Sequence, residues 1–136
     1  MPAFDRCHEQ VVHALQQDGW RVLRQHMKLA FSQRRVFVDL QVARGDNGNR
    51  QEILLIEVKC FGDADLYLQD IYTAIGQYVT YRAILMDMNV NIPLYLSIPE
   101  VVFASFEPAI QRAFRDHHIR IIVINLEAEK VTQWIE

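Results

Sequence analysis

The chain has 136 residues, 51% of them hydrophobic and 23% charged, with a formal net charge of −3. That length suits one domain burying roughly two thirds of its unfolded surface, and the composition is too apolar for disorder. A polybasic coat for nucleic acid is excluded, so any contact with DNA has to come from a local patch.

The longest apolar runs have four residues, as at 53–56 and 121–124, far short of the ~20 of a membrane helix. The mixed, charged N-terminus has no signal-peptide core. Cys7 and Cys60 make no disulfide framework at this size, and both are expected to be reduced thiols in a cytoplasmic protein.

There is no internal repeat, low-complexity tract or linker, and prolines and glycines punctuate the chain into short elements. Residues 5–18 read as a helix, with Phe4, Val12 and Leu15 at helical spacing, Asp5 suited to the start and Gly19 to the stop. Residues 20–25 alternate as a short strand. From 36 to 43 the alternation puts Val36, Val38, Leu40 and Val42 on one face, and Phe37, Asp39 and Gln41 on the other. The turn cluster at 45–49 leads into a nearly continuous apolar strand at 53–61, completing a hairpin.

Residues 65–88 form a long helix, apolar at Leu68, Ile71, Ile75, Val79 and Met86. A strand at 92–98 follows, then a helical stretch at 100–117 broken at Pro108. Strands at 119–126 and 130–135 close the chain. The predicted order, α-β-β-β-α-β-α-β-β, fits one α/β (α+β) domain over residues 1–136, a mixed sheet flanked by helices.

The chemistry concentrates in Ile56-Glu57-Val58-Lys59-Cys60. A strand this apolar is covered on both faces, yet Glu57 and Lys59 sit two apart and project from one of them. If the hairpin is symmetric about Gly48, Asp39 lies opposite Glu57, with the side chains about 5 Å apart. Two carboxylates so placed repel and require a cation between them. Lys59 alone would make a buried structural salt bridge. A divalent metal held by Asp39, Glu57 and the Val58 carbonyl would make a hydrolytic site, where hard oxygen ligands favour Mg²⁺ or Mn²⁺ and Lys59 orients water or steadies phosphate charge.

Asp39 followed by Glu57-Val58-Lys59 on the next strand, behind an opening helix, resembles the PD-(D/E)XK nuclease superfamily, whose restriction-endonuclease-like core is α-β-β-β-α-β. Val38 stands where that pattern has proline. The resemblance makes Glu9, on the first helix, a further candidate acid, although it sits about 110° from the apolar stripe of that helix. Gln77 and Tyr81 share a face opposite the Ile71/Ile75/Val79 stripe. They are similar to the Gln-x-x-x-Tyr signature of RecB-like nucleases, where these side chains help place the DNA strand; an ordinary polar helix edge is the other reading.

A closer resemblance spans the chain. Met1-Pro2-Ala3, Gly19-Trp20, Val38-Asp39-Leu40, Glu57-Val58-Lys59, Gly76-Gln77-Tyr78, Tyr81-Arg82, Leu94-Tyr95-Leu96, Pro99 and Trp134-Ile135 look like the XisH family, the fdxN-element excision controlling factors of cyanobacteria and some other bacteria. The resemblance implies a part in programmed excision of a DNA element during heterocyst differentiation, alongside a site-specific recombinase and a second small factor, XisI. The partners it suggests are DNA, an XisI-type factor, the recombinase indirectly, and a second copy of the chain as a homodimer.

His8 and His13 are five apart and diverge by about 140° on a helix, so they make no zincin box. His117-His118 suits a solvated helix end. Residues 19–38 carry Arg21, Arg24, Lys28, Arg34 and Arg35 with no acid. This is either a solvated face or, with Arg34 and Arg35 leading toward Asp39, a source of phosphate contacts. Three functions remain open: a metal-dependent endonuclease, a catalytically inactive DNA-binding accessory factor, and a protein-interaction module.

Overall fold

A computed structural model describes residues 7–45, 50–62 and 64–136. The elements follow the predicted order: α1 (His8–Gln17), β1 (Arg21–Phe31), β2 (Arg34–Arg44), β3 (Glu52–Val58), a 3₁₀ turn (Ala64–Leu66), α2 (Tyr67–Asp87), β4 (Leu94–Pro99), α3 (Glu100–Ala104), α4 (Pro108–Asp116), β5 (Ile121–Asn125) and β6 (Lys130–Ile135). The six strands lie side by side in chain order. Pairs β1–β2, β2–β3 and β5–β6 are antiparallel, whereas β3–β4 and β4–β5 are parallel.

The two parallel connections advance in the same direction across the sheet. Crossovers of one hand therefore put α2 and the α3–α4 pair on the same face. There Ile71, Ala74 and Tyr78 of α2 and Phe114 of α4 pack on Leu55, Leu96, Ile98 and Val123. On the other face Val11, Ala14 and Leu15 of α1 cover Leu40, Val42, Ile56, Val58 and Ile122. The β3 and β4 backbones are thus sealed on both sides, which is why their sequences run apolar without alternating.

The break at Pro108 is real, because proline opens α4 at its first turn, where its missing N–H costs nothing. Asp5, Phe4 and the glycine at the hairpin centre, Gly48, lie outside the described residues.

Several expectations are corrected. The strand expected at 20–25 runs on to Phe31 and turns through Ser32 and Gln33 into β2, so the basic segment is a hairpin ribbon. A register shift between Val22 and Arg24 and a left-handed backbone at His26 (φ 53°) interrupt its alternation. Val38 packs with Leu29 and Leu55 on the α2 face, not with Leu40 and Val42. The ladder with β3 ends at Leu40–Ile56, and the two-stranded ribbon beyond it is free to twist more strongly.

In α2 the buried stripe is Ile71, Ala74, Tyr78, Ile84 and Leu85, while Leu68 and Met86 are exposed. The cysteines are not free thiols: Cys7, just before α1, is bonded to Cys60, two residues past β3. The Cys7 backbone N–H also donates to Cys60 Sγ at 3.0 Å.

Tyr78 holds the crossover in place. Its buried hydroxyl donates to the Leu94 carbonyl at 2.7 Å and accepts from the Arg120 N–H at 3.2 Å, joining α2 to the entries of β4 and β5. Tyr78→Phe leaves both backbone groups short of a partner. It is expected to lower the unfolding free energy by about 1–3 kcal/mol in urea titration; an unchanged midpoint would contradict this role.

Candidate functional site

The β2–β3 register pairs Leu40 with Ile56, and its next step sets Asp39 opposite Glu57. Both carboxylates reach across the gap. Asp39 Oδ2 accepts from the Val58 N–H at 2.8 Å, and Glu57 Oε1 accepts from the Asp39 N–H at 3.3 Å. Each acid is therefore oriented by the backbone of the other strand. Glu57 lies between the α2-face residues Leu55 and Leu96, so the pair faces α2.

This placement is electrostatically demanding. Glu57 is 5% exposed. Burial, then the neighbouring charge of Asp39, pushes its carboxyl up to about 9, while the ammonium of Lys59 pulls the other way. Lys59 continues the β3 ladder through its N–H to the Ser97 carbonyl at 3.1 Å. It stays partly exposed, with its charge felt at Glu57.

Tyr81 closes the site from α2. Its hydroxyl is raised by burial and then by the charges of Glu57 and Asp39, so it remains a hydrogen-bond donor at neutral pH. Gln77, one turn earlier, holds its Oε1 buried with no hydrogen-bond partner among the described residues. The two side chains do not lie opposite the packed stripe as expected. They flank it, because the stripe runs through Ala74, Tyr78 and Leu85.

The oxygens that could hold a hard divalent cation are those of the Asp39 and Glu57 carboxylates. Among the described residues, however, no three acidic, histidine or cysteine side chains form a metal-holding group. Glu9 is not brought to the pair; it is exposed on α1, which packs on the opposite face of the sheet. Arg34 and Arg35 sit exposed where the β1–β2 ribbon turns, with Arg24 and Lys28 exposed along β1. His8 is buried against Gln25 and His13 meets Glu129, so the two histidines have separate partners.

The feature missed from sequence is the Cys7–Cys60 bridge beside Lys59. Its signal was the alternation itself, which turns Cys60 away from Lys59 toward the face covered by α1.

Residues 1–132 match the family model of the XisH protein. The structure is similar to that of an XisH family protein from Nostoc punctiforme PCC 73102, with 23% identity and a TM-score of 0.87 over 97% of this chain and 100% of that one. It is also similar to a fdxN element excision controlling factor protein from Anabaena variabilis, with 23% identity and a TM-score of 0.84 over 95% and 97% of the two chains. No curated protein matches the chain.

The raised Glu57 carboxyl makes a pH prediction. Without a cation, the folded protein keeps a proton that the unfolded chain releases near 4.5. The stability this gives is complete below that pH and drains away as the pH climbs toward about 9. In chelator, the melting temperature is expected to fall across that window for the wild type and to stay flatter in Glu57→Gln. Parallel profiles for the two proteins would contradict the assignment.

Proposed function

The chain belongs to the XisH family, and on that premise we propose that it is an excision controlling factor which hydrolyses or nicks DNA through Asp39, Glu57 and Lys59. The observation that carries this reading is the crossed pair of carboxylates, each held by the other strand's backbone, with the charge of Lys59 acting on Glu57. The α-β-β-β-α-β order of the first six main elements supports a place in the PD-(D/E)XK superfamily.

Asp39, Glu57 and the Val58 carbonyl would hold Mg²⁺ or Mn²⁺, which when bound supplies a polarised phosphoryl oxygen and a more acidic water. The remaining roles belong to side chains. Lys59 places a positive charge against the non-bridging oxygens as charge builds on the phosphate. Tyr81 donates a hydrogen bond from a hydroxyl that keeps its proton. Gln77 offers a buried acceptor to water or to the strand backbone. The exposed cations of the β1–β2 ribbon, Arg34 and Arg35 among them, neutralise flanking phosphates.

In this reading DNA is the substrate, and an XisI-type factor and a recombinase are the partners that act with it. A second reading, a catalytically quiet DNA-binding accessory factor, is favoured by one observation: among the described residues two acids meet rather than three, and one of them is buried.

Relaxation of supercoiled DNA with Mn²⁺ separates the two. Under the first reading the wild type cuts, and Glu57→Ala falls by on the order of 100-fold or more while still binding DNA. Equal cutting by both proteins, or none by either with binding intact, favours the second. Under both readings Arg34→Glu with Arg35→Glu weakens binding and lowers the salt slope by about 2; an unchanged slope removes the ribbon from the interface.

A further inference from the structure

We propose that the Cys7–Cys60 bridge is a reversible redox clamp that fixes Lys59 beside Asp39 and Glu57, so that the thiol–disulfide balance regulates the site; this rests on the nuclease reading given above. Lys59 lies at the point where β3 ends. Its backbone N–H makes a ladder bond to the Ser97 carbonyl, and the residue after it is covalently tied to the start of α1. Residues 59–62 have no regular secondary structure.

Phe61, directly after the bridge, holds a left-handed backbone (φ 56°), which bulky residues seldom adopt without restraint. Two restraints act on it: the packing of its ring on Tyr67 and Phe106, and the bridge. Opening the bridge removes the second. The segment can then relax and carry the Lys59 ammonium away from the carboxylates. Misplacing a charge by about 1 Å at a phosphoryl-transfer site is enough to cost on the order of 100-fold in rate.

The chemistry balances with a dithiol as reductant. Its thiolate attacks the Cys60 sulfur, since Cys60 is partly exposed while Cys7 is 4% exposed. Cys7 leaves and takes up a proton. The second thiol of the reductant displaces Cys60 and closes the reductant's own disulfide, so two electrons and two protons pass to the protein.

The test has an internal control. The chain has three lysines, Lys28, Lys59 and Lys130, and Lys28 and Lys130 are exposed on other strands. The full chain, oxidised or reduced with dithiothreitol, is briefly acetylated with acetic anhydride, and each lysine is quantified by mass spectrometry. Differential alkylation counts the thiols, and Mn²⁺-dependent DNA cleavage is measured on unacetylated aliquots of the same samples. Reduction should free two thiols, raise Lys59 acetylation severalfold with Lys28 and Lys130 unchanged, and lower cleavage by on the order of 100-fold. Reoxidation before acetylation should restore all three oxidised values.

Cys60→Ser and Cys7→Ser should each match the reduced wild type whatever the reductant; the second guards against a folding defect of the first. Lys59 acetylation that ignores reduction, cleavage that is present but equal in both states, or thiols that never pair would each overturn the clamp. A Lys59 response without cleavage in either state would sink the nuclease reading while leaving the clamp intact.

Discussion

Two carboxyl groups facing one another across neighbouring strands, with almost no water around one of them, set the terms for this molecule. Asp39 and Glu57 repel, and a folded chain keeps such a pair only by compensating it. The compensation comes from the Val58 and Asp39 N–H groups, the Lys59 ammonium and a proton retained on Glu57. Tyr81 then sets against the pair a hydroxyl that holds its proton.

The fold explains how such a pair arises. β3 is covered by α1 on one side and by α2 on the other, so a charged residue within it is desolvated by construction. β2 leaves β3 at the Leu40–Ile56 pair, and the acids meet at that step, where the β1–β2 ribbon parts from β3 while β3 stays paired with β4 to Val58. The same end of β3 carries Lys59 and the bridged Cys60. Most of the chemistry-bearing residues therefore lie within one short stretch of ladder.

Much of this was legible in the sequence because it depends on spacing. The opposition of Asp39 and Glu57 follows from counting outward from the hairpin centre, and the register between Arg44–Glu52 and Leu40–Ile56 preserves that count. The order of the elements followed from apolar period and punctuation, including the break at Pro108. What escaped depends on three-dimensional context. β1 extends beyond its alternating stretch because its bulge and the left-handed His26 interrupt the period. The packed face of α2 departs from its aliphatic spacing because Tyr78 is buried while Leu68 and Met86 face outward. The pairing of the cysteines depends on tertiary structure, because a separation of 53 residues carries no pairing information until α1 packs on the sheet face behind β3.

One property of the sheet reaches into how the chain is made. Strand order across the sheet equals strand order along the polypeptide, so each strand leaving the ribosome finds its neighbour already present, and none has to insert between two that have paired. The β1–β2–β3 meander is complete, and both sulfurs of the bridge are available, before β4 is synthesised. Assembly by accretion of this kind keeps loop-closure costs low at each step. The late event is the docking of β6 beside β5, where Glu129, just before β6, reaches His13 on α1.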